Sequence, residues 1–130
     1  MAGSTVKLRK IGWVGTRTQY PEAMADFFER VLGLRFDRRY DDTWVFQLPD
    51  GSKAEVFGPS ENEHFTAGPV VEFLTDDVAA ATEELRNAGV PIVSGPVYWE
   101  GEDDVAWVHF RAPDSNIYGI TQGRDLEPPG

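Results

Sequence analysis

The chain contains one structural pattern twice. The stretch Leu48–Phe57 (LPDGSKAEVF) and the stretch Ala112–Thr121 (APDSNIYGIT) both carry a Pro-Asp turn that leads into an alternating segment. In this alignment Glu55 of the first copy corresponds to Gly119 of the second. A repeated supersecondary unit predicts two copies of one module. Because two copies are too few for a solenoid, we expect them to pair face to face and to share a core.

The segments upstream of the two turns repeat as well. An apolar helical pattern ends at Gly33 in the first copy and at Gly89 in the second, and glycine favours the left-handed helix cap. The first pattern predicts a helix over 21–32 that begins with a proline. Its apolar stripe, expected in the core, is Met24, Phe27, Phe28, Val31 and Leu32. Asp76 or Asp77 is predicted to cap the second helix.

Alternating segments predict four strands around each helix. They lie at about 7–16, 34–38, 43–48 and 53–57, and again at about 70–75, 91–97, 105–111 and 117–121. Each copy therefore has the order βαβββ. The prediction is a single domain over 1–130, made of a module at 6–58, a linker at 59–68 and a second module at 69–123.

Composition narrows the functions that such a chain can have. The 130 residues suit one domain, and a hydrophobic content of 41% is enough for a core. A net charge of −10 argues against nucleic acid or an anionic membrane as partner, and it permits a cationic ligand. With no cysteine there is no disulfide, thiolate metal site or thiol nucleophile. No apolar run is long enough for a membrane span or a signal peptide, so a soluble cytoplasmic protein is expected.

The repeated βαβββ module, the sequence FFERVLGL at the end of the first helix and the Pro-Asp turn before the last strand carry a resemblance. The chain resembles the vicinal oxygen chelate superfamily, which includes glyoxalase I, extradiol dioxygenases, methylmalonyl-CoA epimerase and bleomycin resistance proteins. The resemblance covers Ile11 to Gln122. It implies an α+β fold in which the two modules form a curved mixed-sheet cup around a ligand site, the glyoxalase/bleomycin resistance fold. It also implies a homodimer.

Metal-dependent members of that family place one ligand on the first and one on the last strand of each module. The corresponding positions here are Trp13, Glu55, Val70 and Gly119. Only Glu55 carries a metal-binding side chain, since an indole offers a donor and no lone pair. A divalent ion needs several such ligands. The departure from the pattern predicts that the usual metal is absent and that no cofactor is bound. A displaced metal site at Glu55, Glu72 and His109 stays open as an alternative.

The period-two alternation of the strands predicts which side chains face the cup. The inward set is Trp13, Gly15, Lys53, Glu55, Phe57, Val70, Glu72, Leu74, Ile117, Gly119 and Thr121, to which Trp44, Trp99 and Trp107 add aromatic surface. The residues predicted to bind a ligand are Trp13, Glu55, Phe57, Val70, Glu72, Trp99, Trp107, His109 and Gly119. Aromatic faces beside carboxylates favour a planar or cationic molecule.

Each of these residues also has a purely structural interpretation. Trp13 can fill the space of a metal by packing alone, Glu55 can be paired with Lys53, and His109 can be a hydrogen-bonded strand residue. Asp50 and Asp114 are expected to hold turns.

The leading hypothesis is a protein that binds a small, partly aromatic and cationic organic molecule without a metal, resembling the antibiotic-sequestering bleomycin resistance type. The alternative is an enzyme, either a lyase, isomerase or dioxygenase with a displaced metal, or a metal-free catalyst. In the metal-free version Glu55 or Glu72 acts as acid or base, because burial in an apolar cup raises the pKa of a carboxyl group. A third alternative is an interaction module with a collapsed cup.

Overall fold

A computed structural model of the protein describes residues 5–66, 68–100 and 104–123. Its elements, in chain order, are β1 (Lys10–Arg17), α1 (Pro21–Asp26), a π-helical turn (Phe27–Val31), β2 (Arg35–Tyr40), β3 (Thr43–Gln47), β4 (Lys53–Phe57), β5 (Gly68–Leu74), α2 (Val78–Asn87), β6 (Ile92–Tyr98), β7 (Ala106–Arg111) and β8 (Ile117–Gln122). The strands form one eight-stranded sheet in the order β2-β3-β4-β1-β5-β8-β7-β6. The predicted α+β fold of two βαβββ modules is confirmed.

The central strands β1 and β5 join the two modules edge to edge in one sheet, so the expectation that the modules pair face to face is wrong. They pair antiparallel, with a bulge between Ile11 and Trp13. Within the modules β1 is parallel to β4 and β5 is parallel to β8, so the sheet is mixed. The rings of Tyr40 on the edge strand β2 and of Trp99 just after the other edge strand lie 6.0 Å apart between centroids. The sheet therefore curls until its two edges approach each other, which makes one face concave.

The two repeated turns use the same hydrogen bond. Asp50 Oδ1 accepts from the backbone N–H of Ser52 at 3.0 Å, and Asp114 Oδ1 accepts from the backbone N–H of Asn116 at 3.0 Å. An aspartate that bonds to the backbone two residues ahead stabilises a turn locally. The expected role of both aspartates as turn residues is confirmed.

The helices cover the convex face of the sheet. The apolar side of α2 packs on β7 and β8 in a cluster of Val78, Ala81, Leu85, Ala106, Val108 and Ile120. The side chains of α1 pack on β3 and β4, and this second cluster contains Trp44. The expectation that Trp44 faces the cup is wrong. Its neighbours Thr43 and Val45 line the concave face, so the side chain of Trp44 points to the opposite, helix-covered face. There the guanidinium carbon of Arg39 lies 4.2 Å from the centroid of the Trp44 ring.

The predicted continuous helix over 21–32 is also wrong in its second half. After Asp26 the chain widens into a π-helical turn, in which the N–H of Leu32 bonds to the carbonyl of Phe27 at 3.1 Å. One extra residue per turn rotates the following side chains away from the core. Val31 and Leu32 are consequently 67% and 52% exposed, instead of packed inside. In the described part of the chain, no helix has the length and apolar character to cross a membrane.

The cap of α2 provides a direct test of the fold. Asp77, and not Asp76, accepts the backbone N–H of Ala80 at 3.0 Å. We expect Asp77→Ala to lower the free energy of unfolding by about 1 kcal/mol, because the first turn of α2 loses a hydrogen bond. Asp76→Ala is the matched control, since Asp76 makes an exposed ion pair with Arg9 at 3.3 Å, and exposed pairs contribute less than about 1 kcal/mol. Equal losses in urea unfolding would contradict the assignment of the cap.

Candidate functional site

The concave face holds a cavity of about 330 Å³. Its wall is formed by Trp13, Arg38, Tyr40, Thr43, Val45, Lys53, Glu55, Glu61, Asn62, Phe65, Glu72, Trp99, Val105, Trp107, His109, Thr121, Gln122 and Gly123. A volume near the lower limit of common ligand pockets, about 300–1,000 Å³, suits a small organic molecule. The wall combines aromatic rings with three carboxylates, which belong to Glu55, Glu61 and Glu72.

Most residues predicted to bind a ligand lie in this wall. Six of them line the cavity, namely Trp13, Glu55, Glu72, Trp99, Trp107 and His109. Phe57 and Val70 instead pack beside Trp13 in a buried cluster that also contains Phe65. Gly119 does not line the cavity, because the side chain of Glu72 lies over it, where a Cβ at position 119 would overlap.

Three groups of wall residues were not predicted. The first comes from β2 and β3, where alternation after Asp41-Asp42 was available as a signal, and consists of Arg38, Tyr40, Thr43 and Val45. The second lies at the ends of β7 and β8 and consists of Val105, Gln122 and Gly123. Glu61, Asn62 and Phe65 come from the segment that the sequence indicated only as a linker. Nothing in its polar composition indicated that this segment folds over the cup.

The indole of Trp13 occupies the centre of the cup. It lies across Gly15, where an added Cβ would overlap the ring, and it stacks on Phe57 with 6.2 Å between centroids and 15° between planes. Its strand register places it beside Lys53 on β4 and Glu72 on β5. Trp13 therefore holds the position from which the family's first metal ligand would point.

Glu55 is the carboxylate whose acidity is most changed by the cup. Burial raises its pKa from 4.5 to about 7, although a hydrogen bond from the Trp13 indole acts in the opposite direction. The nearby charge of Glu72 raises the pKa further, and the charges of Arg38 and Lys53 lower it. A group that titrates near neutral pH can serve as a proton donor or acceptor and can also switch its charge with pH.

The positive charges of Arg38 and Lys53 in the wall are partly neutralised by Asp37, which lies outside the cavity. Asp37 Oδ2 lies 3.1 Å from Nζ of Lys53 and 3.3 Å from Nε of Arg38. Burial raises the pKa of Asp37, but the hydrogen bond and charge of Lys53, with the charge of Arg38, hold it below its usual value. Asp37 thus stays ionised and neutralises part of the positive charge, so the carboxylates dominate the electrostatics of the cavity.

A chain of three hydrogen-bonded groups crosses the wall at β5 and β7. Glu72 Oε2 lies 2.6 Å from Nε2 of His109, and Nδ1 of His109 lies 2.8 Å from Nε2 of His64. Glu72 and His109 are only 5% and 3% exposed, whereas His64 is partly exposed. Burial, and secondarily the charge of His109, lowers the pKa of His64. The histidine of the linker, which sequence analysis left without a role, ties this segment to the second module.

An aromatic row lies at the opening of the cup. Trp99 is 6.0 Å from Tyr40 and 5.8 Å from Trp107 between ring centroids. Burial raises the pKa of the Tyr40 hydroxyl above its usual value, so this ring stays neutral. The row presents flat apolar surface from both modules. The middle of the acidic loop that follows Trp99, residues 101–103, lies outside the described residues.

The donor set does not fit the metal ion that the family uses. Of the four corresponding positions only Glu55 offers a ligand atom, and the Trp13 indole fills the space in front of it. Over the described ranges, no three histidine, aspartate or glutamate side chains are grouped so that they could hold a metal ion. The alternative set that includes Glu72 and His109 is further constrained, because both ring nitrogens of His109 are already hydrogen-bonded.

Comparison with known proteins identifies the family. Residues 10–118 match the model of the glyoxalase/bleomycin resistance protein/dioxygenase superfamily. The chain therefore belongs to this superfamily, as the repeat and the cup suggested. No curated protein sequence matches the chain.

Solved structures share the fold at low sequence identity. A variant of methylmalonyl-CoA epimerase from Streptomyces coelicolor, in complex with 2-nitronate-propionyl-CoA, is 15% identical, with a TM-score of 0.70 over 95% of this chain and 100% of that chain. Methylmalonyl-CoA epimerase from Mycobacterium tuberculosis is 12% identical, with a TM-score of 0.69 over 95% and 93% of the two chains. A hypothetical protein from Bacillus halodurans is 15% identical, with a TM-score of 0.67 over 88% and 94%. At these identities the likeness shows the fold alone.

The acidity of Glu55 predicts how stability depends on pH. Because its pKa is about 7 in the folded protein and near 4.5 when unfolded, the folded state binds more protons between these values. Wild type should therefore lose stability relative to Glu55→Gln as the pH rises from 5 to 8. At pH 8 the variant should be more stable by about 1–3 kcal/mol, and at pH 4 the two should be nearly equal.

Chemical unfolding at pH 4, 6 and 8 measures this difference. Glu29→Gln, at an exposed glutamate of the π-helical turn, is the control for the same substitution outside the cup. A Glu55→Gln difference that is constant over the same range would contradict a raised pKa.

Proposed function

We propose that the protein binds a small, planar, cationic organic molecule in the cup without a metal ion. The observation that carries the proposal is the wall of the cavity, in which aromatic rings surround the carboxylates of Glu55, Glu61 and Glu72. Rings offer stacking and cation–π contacts, and the carboxylates offer charge in a partly dehydrated site. Sequestration of this kind resembles the bleomycin resistance members of the superfamily.

The charge of the whole protein supports a cationic ligand. With a net charge of −10 the chain attracts cations over long range and repels polyanions. The Streptomyces neighbour was solved with a CoA derivative, and such a polyanionic molecule suits an acidic cup poorly. The pairing of Lys53 and Arg38 with Asp37 neutralises part of the positive charge that the wall could offer to a phosphate.

A metal-free acid–base enzyme is the second candidate function. It is favoured by the pKa of about 7 at Glu55, which gives this carboxyl group both a donor and an acceptor form at neutral pH. The two functions differ in the effect of Glu55→Gln. An enzyme that uses Glu55 loses turnover, whereas a binding protein keeps its ligand and loses only part of its affinity.

N-methylquinolinium is a suitable probe, because it is small and planar and keeps its positive charge at every pH. We expect it to bind about tenfold more tightly at pH 8 than at pH 6, since the ionised fraction of a group with a pKa of about 7 rises about tenfold over this range. Isothermal titration calorimetry measures the affinity. Glu55→Gln should bind more weakly at pH 8 and should lose most of the pH dependence.

Two controls test whether binding depends on the positive charge of the probe or on a metal ion, and not on the shape of the probe alone. The neutral isostere 1-methylnaphthalene should bind more weakly at pH 8 than the cation does, and its affinity should not rise with pH. Exhaustive treatment with a chelator should leave the affinity for N-methylquinolinium unchanged. Equal affinity for the two probes would contradict a cation site, and loss of binding after chelation would contradict metal independence.

We also propose that the protein is a homodimer. The π-helical turn leaves apolar surface exposed at Val31 and Leu32, and Tyr20 beside α1 is 70% exposed. Exposed apolar surface of this kind favours association.

Light scattering after size exclusion should therefore give twice the chain mass of 14.5 kDa. Leu32→Lys should shift the equilibrium towards the monomer, and Glu83→Lys on the exposed face of α2 is the control. A mass of one chain at all concentrations would contradict the proposal.

A further inference from the structure

We propose that Glu72, His109 and His64 form a relay that carries protons between solvent and the wall of the cup. The relay goes beyond ligand binding, because it gives the cup an acid–base group, Glu72, that can regain its proton while a ligand covers the cup. Each link is short, at 2.6 Å from Glu72 to His109 and 2.8 Å from His109 to His64. Glu72 and His109 line the cavity, while His64 lies outside its wall.

The donor directions follow from the chemistry of the three groups. An ionised carboxylate only accepts hydrogen bonds, so Nε2 of His109 carries a hydrogen and donates it to Glu72. In a neutral His109, Nδ1 is then the acceptor for Nε2–H of His64. Nδ1 of His64 remains as the acceptor at the outer end, so all donors point from the surface towards the cavity.

Two transfers carry a proton inward along this chain. When a hydronium ion from solvent protonates Nδ1 of His64 and leaves as water, the Nε2 proton of His64 moves to Nδ1 of His109, and the Nε2 proton of His109 moves to Oε2 of Glu72. One proton enters and the carboxylate becomes a carboxylic acid, so atoms and charge balance with hydronium as the proton source and water as the by-product. The reverse transfers return the proton from Glu72 to solvent. A ligand with a weakly acidic N–H, O–H or activated C–H group beside Glu72 can exchange a proton with this acid.

The groups that surround Glu72, His109 and His64 favour proton transfer along the relay. The ring of Phe65 packs 4.5 Å from His64 and 4.7 Å from His109 between centroids, and it is itself only 2% exposed. This ring limits direct access of water to the buried pair from the linker side. A ligand in the cup shields the opposite side, so the imidazoles become the path that stays open.

The variant His64→Gln separates a relay from a purely structural tie. A glutamine amide can still donate to Nδ1 of His109 and hold the linker, but it cannot pass a proton on. The chain has two histidines, so in protein labelled with ¹⁵N-histidine the variant leaves a single imidazole, that of His109. We expect exchange of its Nε2 proton with water to be at least about tenfold slower in the variant than in wild type.

Equal exchange rates in wild type and His64→Gln would overturn the relay, and slower exchange with an unchanged melting temperature would support it. A second measurement needs no variant. The wild-type protein should show a ¹⁵N–¹⁵N coupling across the hydrogen bond between His64 and His109, and its absence would overturn the relay. Binding of N-methylquinolinium should be the same in both proteins. Failure of that probe to bind wild type would count against the ligand proposal and leave the exchange result unaffected.

Discussion

The position of the Trp13 indole in the centre of the cup is the constraint on which the site depends. A ring of this size fits only because Gly15, two residues along the same strand, has no side chain. The indole N–H is then directed at Glu55, and the ring face stacks on Phe57. In this superfamily the same position can hold a metal ligand. Here the position holds an indole, which offers no ligand atom and lies beside the carboxylate of Glu55.

Each buried carboxylate of the cup needs a partner or a proton to reduce the cost of its charge. Glu55 accepts from an indole and has its pKa raised to about 7, so that it shares its time between the charged and neutral forms. Glu72 is held by His109 at 2.6 Å instead. The cup therefore contains one carboxylate whose charge changes near neutral pH and one that is hydrogen-bonded to an imidazole, and this difference is the basis for both the binding and the acid–base proposals.

The sequence was sufficient to predict what is local and periodic. The repeat shows in the sequence itself, and the βαβββ order of each module follows from its helical and alternating segments. The inward-facing residues Trp13, Glu55 and Glu72 follow from alternation, which the pleat of a strand enforces. Trp44 shows the limit of that reasoning, because it lies on the wrong face for its assigned role. Interactions between distant segments could not be predicted. The π-helical turn depends on how α1 packs, and the contact of His64 with His109 joins residues 45 positions apart through a segment without a periodic pattern.

Divergence between the two copies explains why Glu72 and His109 can meet. In the sheet register Gly119 lies directly between them, opposite Glu72 on one side and opposite His109 on the other. A metal ligand at this position, as in the family pattern, would occupy the space that the Glu72 side chain now fills. Because Gly119 has no side chain, it offers no ligand and leaves a gap across which a carboxylate and an imidazole form a hydrogen bond. In the first copy Gly15 leaves a comparable gap for an aromatic ring. Glycines at positions 15 and 119 therefore make room for two different arrangements in one cup, an indole stacked on Phe57 and a carboxylate bonded to an imidazole.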